Sequence, residues 1–303
     1  MEEKLIISHI KAGFGNQLFH YAVGYAASKR IGAKFKIDKS FFDNNDEFAL
    51  KLNNLKIDYE CANQNEIDQL RSETTNSIFF RILKKIGIRN KFNKKTSIYE
   101  PFGFKPDKRI LNLKHSAYIL GWVSSYSYFN DFRSDLLDLF SLKHPFSSQA
   151  NHYLEKINSC NSVSIHIRRG DYLELEHFFR VLPVEFYKKA VAEITKLEDD
   201  LTFFVFSNDI EWSRLNLNFL KNAVFVDLNC KGDYNGKADM EEFELMKYCK
   251  HNIIANSSFS WWSAYLNKNN EKTVISPKVW FNDKFYQNSY EKNPTTMPNW
   301  ISL

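Results

Sequence analysis

Residues 5–10 form a short apolar run of strand length, followed at 11–17 by a loop that contains two glycines. Apolar positions then recur at helical spacing over 18–30, with Leu18, Tyr21, Ala22 and Tyr25 on one face. This stretch closes with Lys29, Arg30 and Gly32, a basic last turn and a glycine stop. Residues 33–38 read as a second strand, so the chain opens as strand, loop, helix, strand, the start of an α/β fold. The second half has the same rhythm. Strands are expected at 163–167, 201–206, 224–226, 253–255 and 273–276, and helices at 183–197, 239–250 and 261–267. Pro183 is placed for a first turn, and Ser260 is the expected N-cap of the last helix. Between the halves come a strand at 118–122 and helices at 131–140 and 147–157, with His144-Pro145 as a break. The expected domains are therefore 1–155 and 156–303.

Residues 39–115 are polar, asparagine-rich and without clear period. Within them, 78–95 carries Arg81, Lys84, Lys85, Arg89, Lys91, Lys94 and Lys95 with no acid, interleaved with Ile78, Phe79, Ile82, Leu83, Ile86 and Ile88. One reading is a helix resting on an anionic membrane or a lipid-linked substrate. The commoner fate of such a stretch is a solvated helix with one buried face.

The totals narrow the class. With 303 residues, 44% apolar and 25% charged, the chain has the composition of a globular protein large enough for two domains. A net charge of +5 is too weak to argue for nucleic acid, and no matching motif is present. Cys61, Cys160, Cys230 and Cys249 form no CxxC pair and read as free thiols. No signal peptide or membrane-length apolar run is seen, which predicts a cytosolic protein.

The chemistry gathers at predicted strand ends. Ser164-Ile165-His166-Ile167 runs into Arg168, Arg169, Gly170 and Asp171; the next strand ends in Ser207, Asn208 and Asp209; a third ends in Asn256, Ser257, Ser258, Phe259 and Ser260. Open α/β sheets bind ligands beyond the carboxyl ends of their strands. Paired guanidinium groups match diphosphate oxygens, a serine-capped helix start accepts anionic oxygen, and a carboxylate can receive a guanine edge. Asp209 is the choice for that last role. Taken singly, each cluster is equally well explained by turn and cap residues. The Phe14-Gly15-Asn16 segment is either a tight turn with Asn16 as cap or a backbone surface that closes on a nucleotide sugar from the other domain. His166 either contacts the nucleotide or is a packed histidine, and Trp261-Trp262 read as core. No Walker loop, HExxH, GxSxG or Asp-x-Asp is present.

Four segments carry a family resemblance: Gly13-Phe14-Gly15-Asn16-Gln17-Leu18-Phe19, His166-Ile167-Arg168-Arg169-Gly170-Asp171-Tyr172, Phe206-Ser207-Asn208-Asp209, and Asn256-Ser257-Ser258-Phe259-Ser260-Trp261-Trp262. In order and spacing they resemble the bacterial α-1,2-fucosyltransferases of glycosyltransferase family 11. The second and fourth segments are the most specific, and 40–115 carries little of the likeness. The resemblance implies a GT-B fold, two Rossmann-like domains facing a central cleft. It implies GDP-β-L-fucose as donor, no metal, and inversion onto the 2-hydroxyl of a terminal galactose. The acceptor glycan could be lipid-linked, with 78–95 on the inner membrane leaflet. Arg168 is then expected on the leaving β-phosphate, with Arg169 supporting it or holding Asp171. Glu176 is the first choice of general base and His177 the second. Two departures stand out: Ala12 replaces the first of a usual Gly-Gly, and Asn208 replaces the first acid of a Ser-Asp-Asp. Another linkage, another GDP-deoxyhexose, or nucleotide-sugar binding without turnover are the alternatives.

Overall fold

The computed structural model describes residues 3–43, 45, 47–75, 97–101, 103–228 and 237–303, so the basic stretch 78–95 and Cys230 lie outside the described residues. The chain divides into two compact units, Met1–Leu50 with Ile57–Arg133, and Lys51–Lys56 with Ser134–Leu303.

The first unit is built on β1 (Leu5–His9), α1 (Phe14–Ile31), β2 (Lys34–Asp38), β3 (Glu60–Cys61), α2 (Gln64–Thr75), β4 (Ile98–Tyr99), α3 (Lys108–Leu111) and β5 (Ala117–Ile119). Its sheet has the order β3-β2-β1-β5-β4, and every pairing is parallel. β1 is central, and Ile6 and Ile7 are fully buried on its opposite faces, as parallel sheets covered on both sides require. The helix expected at 18–30 begins one turn earlier. Ala12 adopts φ 62, and this sharp bend after β1 lets the helix start at Phe14. Its N-cap is Gly13 rather than Asn16, and Phe14, Gly15 and Asn16 form its first turn rather than a loop. Gln17 ties the bend instead: its Nε2 donates to the carbonyls of Ala12 and Ala49, both at 2.9 Å. Gly32, at φ 61, ends the helix as expected. Sequence pattern did not reveal α2, where Ile67 and Leu70 are the apolar residues that pack on Ile7 and Tyr118.

The second unit contains α4 (Arg133–Leu139), α5 (Ser148–Asn158), β6 (Asn161–Ile167), α6 (Gly170–Glu174), α7 (Val184–Ile194), β7 (Leu201–Ser207), α8 (Ile210–Asn216), β8 (Ala223–Phe225), α9 (Lys237–Tyr248), β9 (His251–Ile253), α10 (Ser258–Leu266), β10 (Val274–Ser276), α11 (Lys284–Lys292) and β11 (Ile301–Ser302). The parallel sheet runs β11-β10-β9-β6-β7-β8. Counted from β6 this is 3-2-1-4-5-6, the order of dinucleotide-binding folds. Alternate residues serve two layers. Val163, Ile165, Ile167, Phe203 and Val205 pack against α7 through Phe186, Tyr187 and Ala190. Phe204 and Phe206 pack on the other face against Ala150 and Ile157 of α5 and Leu245 and Met246 of α9.

This unit begins earlier than the expected boundary at 155/156. The apolar faces of α4 and α5 belong to its core: Phe140 meets Trp262 edge-on at 5.2 Å, and Ala150 and Ile157 are buried under the sheet. The segment Lys51–Lys56 joins it through a bridge from Leu55 to Leu142, with Lys56 N donating to Ser141 O at 2.9 Å and Lys143 N to Asn54 O at 2.8 Å. Trp261 and Trp262 are fully buried, as core residues should be.

Candidate active site

β6 lies between β7 and β9, and all three end at the same edge of the sheet. From β6 the chain goes to β7 on one side and later returns as β9 on the other. The loops after β6 and β9 therefore flank a topological switch point, where such sheets open a crevice.

The loop after β6 is locked against the loop after β7. Asn208 Oδ1 accepts from Arg169 N at 2.9 Å, and its Nδ2 reaches Asp171 Oδ1 at 3.5 Å. A Cβ on Gly170 would lie 2.4 Å from Asn208 Nδ2, so only glycine lets the two loops meet this closely. The arginines are separated by giving each its own carboxylate. Arg169 Nε lies 3.2 Å from Asp209 Oδ2, and its guanidinium stacks 3.9 Å from the centre of the Trp212 ring. Arg168 pairs with Asp171 through Nη2 at 2.9 Å and lies 5.6 Å over Tyr172. It is thus Arg168, not Arg169, that holds Asp171. Arg168 Nε, although 2.9 Å from Asp171 Oδ1, is buried without a well-directed acceptor. An arginine has five N–H donors, and the side chain remains 33% exposed against 17% for Arg169. Arg168 is thus the more open guanidinium, and it has donors beyond those turned to Asp171.

Asp209 has a structural job beside the one expected. It is the N-cap of α8, with Oδ1 accepting from Trp212 N at 3.2 Å while Oδ2 holds Arg169. Each oxygen already has one donor, and a carboxylate oxygen can accept a second, so a guanine edge would share the group with the fold. Capping and charge pairing are its roles in that fold.

Tyr172 joins the arginine loop to the loop after β9. It stacks on Phe179 at 4.3 Å, and its hydroxyl donates to Asn256 O at 3.0 Å. Asn256 Nδ2 donates to the carbonyls of Arg180 and Trp280, both at 2.8 Å, while its Oδ1 is buried without a donor. Ser257, not Ser260, caps α10, its Oγ accepting from Phe259 N at 3.3 Å. The chain clears the sheet at Ile253 and turns helical at the first serine that can cap it. Ser258 and Phe259 are half-buried in the first turn, and Ser260 turns inward. The N-terminal end of this helix favours an anion.

His166 sits beneath, its ring 5.6 Å from Phe259. Burial, helped by the nearby Arg168 charge, pushes its pKa down to about 3, and Nδ1 has no partner. It is a neutral buried imidazole, close to the packed histidine alternative. Glu176 and His177 lie on an exposed turn after α6. Asn282 fixes that turn by donating to the carbonyls of Glu176 at 2.7 Å and Phe179 at 3.2 Å. The structure thus brings together Arg168, Arg169, Asp171, Asn208, Asp209 and the start of α10, with His166 below. Phe14, Gly15 and Asn16 belong to the other unit, where their turn lies at the carboxyl edge of its sheet. Trp212 was not singled out from the sequence, and Tyr172 was named there only as the end of a resemblance segment, with no role. Their only signal was an aromatic near each charged cluster. Among the described residues no group of three or more His, Cys, Asp or Glu is placed to hold a metal ion.

The model of the family Glycosyl transferase family 11 matches residues 6–303. An O-antigen biosynthesis glycosyltransferase of Escherichia coli, WbnK, is 30% identical over 98% of this chain and 99% of its own. An alpha-1,2-colitosyltransferase of the same organism is 28% identical over 99% of both chains. Among solved structures, a variant of Arabidopsis thaliana FUT1 in complex with GDP aligns at 13% identity with a TM-score of 0.50, covering 90% of this chain and 70% of that one. That likeness concerns the fold, which is α/β with two Rossmann-like units of the GT-B kind. A match of this extent decides the family: the chain is a member of glycosyltransferase family 11.

Proposed function

We propose that the protein transfers L-fucose from GDP-β-L-fucose, with inversion and without a metal, to the 2-hydroxyl of a terminal galactose in a surface polysaccharide. One observation carries this reading. Arg168, at the carboxyl end of the central strand, keeps spare N–H donors beside a capped helix start, both suited to a leaving diphosphate. The acceptor oxygen attacks the anomeric carbon as the bond to the β-phosphate oxygen breaks, and its electron pair stays on GDP. The transition state is oxocarbenium-like. Arg168 and the first turn of α10 meet the negative charge that grows on the phosphate, the task a metal performs in other transferases. The hydroxyl proton passes to Glu176 or His177 on the exposed turn. Since GDP is a good leaving group, a weak base suffices. The Arg169–Asp209–Trp212 assembly fixes the loop rather than touching the reacting atoms.

A second reading keeps the site and changes the sugar, with colitose in place of fucose. The likeness to the alpha-1,2-colitosyltransferase favours it. No helix among the described residues is long and apolar enough to cross a membrane. We place the reaction in the cytoplasm, on a galactose-terminated glycan. The deciding assay offers purified protein GDP-fucose or GDP-colitose with a panel of galactosides in EDTA, then reads the linkage. Transfer from GDP-fucose to O2 of galactose in EDTA is expected. An absolute metal requirement, or no transfer from either donor, overturns the reading.

A further inference from the structure

The first unit has a switch point of its own. β1 pairs with β2 on one side and β5 on the other, and the loops that leave β1 and β5 diverge at the carboxyl edge. Trp122 follows β5 there. It remains 41% exposed, although it is among the largest side chains of the unit. Its position is fixed by backbone. Trp122 N donates to Pro101 O at 3.0 Å, and a Cβ on Gly121 would come within 2.3 Å of that same oxygen. The indole is held out toward solvent on a close-fitting turn.

Polar groups with unused capacity surround it. Lys11, leaving β1, sets its ammonium 4.5 Å from the Trp122 ring centre. The His20 ring lies 6.2 Å from the indole at a tilt of 44°. His20 is 1% exposed, yet neither ring nitrogen has a partner, and Nδ1 of the nearby His9 is also buried without one. Leaving such groups unpaired is a cost that folds seldom accept without a ligand or water to meet it. Burial lowers the pKa of Lys11, His9 and His20 alike, most strongly for His20, which falls to about 3. The imidazoles are neutral and the Lys11 charge is offset by nearby Glu100, so the cluster offers hydrogen-bonding capacity with its charge balanced. That suits a neutral polyhydroxy ligand better than a phosphate.

We propose that Trp122, with Lys11 and His20, forms a binding subsite for a neutral pyranoside, the acceptor sugar of the reaction. The axial C–H bonds of one sugar face, slightly positive, lie on the electron-rich face of the indole. The hydroxyl groups at the ring edge reach Lys11 and, with a small opening of the loop, His20. As a choice of acceptor, this rests on the transferase reading above, but the binding itself does not.

The test therefore measures binding without donor. Lactose, methyl β-D-galactoside, methyl β-D-glucoside and the methyl glycoside of N-acetylgalactosamine are offered to the full chain, and saturation transfer to ligand C–H protons is read by NMR. The wild type should bind at least one of them. Trp122→Ala should weaken that binding about tenfold, as loss of one stacking contact predicts, and Trp122→Phe should restore part of it. GDP binding, measured on the same samples, should stay at the wild-type level and shows that each variant is folded. If no glycoside binds the wild type, or if Trp122→Ala binds as tightly as wild type, the subsite is refuted. If Trp122-dependent binding is found while no donor yields product, the subsite stands and the transferase reading fails. Should Trp122→Ala not fold, Trp122→Phe decides: an affinity measurably below that of the wild type supports the stack, and wild-type affinity overturns it.

Discussion

Arg168 and Arg169 are adjacent in sequence but differ in what they are free to do. Arg169 is stacked on Trp212 and bound to Asp209, so its charge is spent on the fold. Arg168 keeps donors for a ligand. Arg168→Ala should therefore lower kcat by about 10²–10³, the usual cost of losing one donor to a growing anion. Arg168→Lys should recover little, because an ammonium cannot present the planar fork. Steady-state kinetics with GDP-fucose checks this, and near-normal turnover in Arg168→Ala would remove the leaving-group assignment. Ala12 is a second informative residue. At φ 62 an L residue is strained by about 1–2 kcal/mol, and glycine would give back roughly 0.4–1 through the freer unfolded chain. Ala12→Gly should stabilise the first unit by ~0.5–1 kcal/mol. Urea unfolding followed by a probe in that unit reads the shift, and an unchanged or lower midpoint counts against strain at this bend.

At the scale of elements, the short helix α8 and the arginine loop depend on one carboxylate. Asp209 caps α8 and also holds Arg169. Asp209→Asn keeps a capping oxygen but loses the charge, so it should cost stability by no more than about 1 kcal/mol. Asp209→Ala loses both, and about 1–2 kcal/mol is expected. If Asp209 instead bound guanine, Asp209→Asn would raise the KM for the donor strongly with no change in stability; measuring both quantities separates the roles. This double duty also shows what the sequence could convey. The apolar strands and the basic, glycine-ended helix α1 were legible because apolar runs and stop signals are local, whereas the two-residue strands β3, β4 and β11 are too short to leave such a run. The three polar strand ends were legible for the same reason, and parallel pairing of β7, β6 and β9 brings them together. Which carboxylate pairs with which arginine was not legible, because it depends on the 2.4 Å approach at Gly170 that no local pattern encodes. α6, α8 and α11 were missed because each is short or largely polar and is held by caps and tertiary contacts rather than by an apolar stripe. α10 was found but entered too late, since three serines compete for its cap and only the path out of β9 selects Ser257.

Over the whole molecule, each unit buries one strongly perturbed histidine, His20 within α1 and His166 near the end of β6. His20 in the first unit and His166 in the second are 1% and 5% exposed, and both have pKa values pushed down to about 3. Burial is the main cause in each; Lys11 and His9 add to it for His20, and Arg168 for His166. His9 and His251 shift in the same direction. The sign follows from which state binds the proton. An unfolded histidine titrates near pH 6.5, whereas these two stay neutral in the folded chain until about pH 3. Between those values the unfolded state holds more protons, so folding stability is full above pH 6.5 and declines as the pH falls. At pH 5 the loss should be about 2 kcal/mol for each of the two histidines. Because one lies in each unit, both units should weaken together over this window, before ordinary carboxylates titrate. Urea unfolding at pH 8, 7, 6 and 5, with one probe in each unit, measures the slopes. A flat profile from pH 6.5 to 5 would show that the imidazoles are not held neutral. The same argument constrains catalysis. In the folded enzyme His166 does not ionise at pH 5–8, so an acid limb in kcat/KM within that range belongs to another group or to unfolding. Measuring kcat/KM alongside the folded fraction separates these causes, and an acid limb that disappears in a folded His166→Gln variant would contradict a neutral His166.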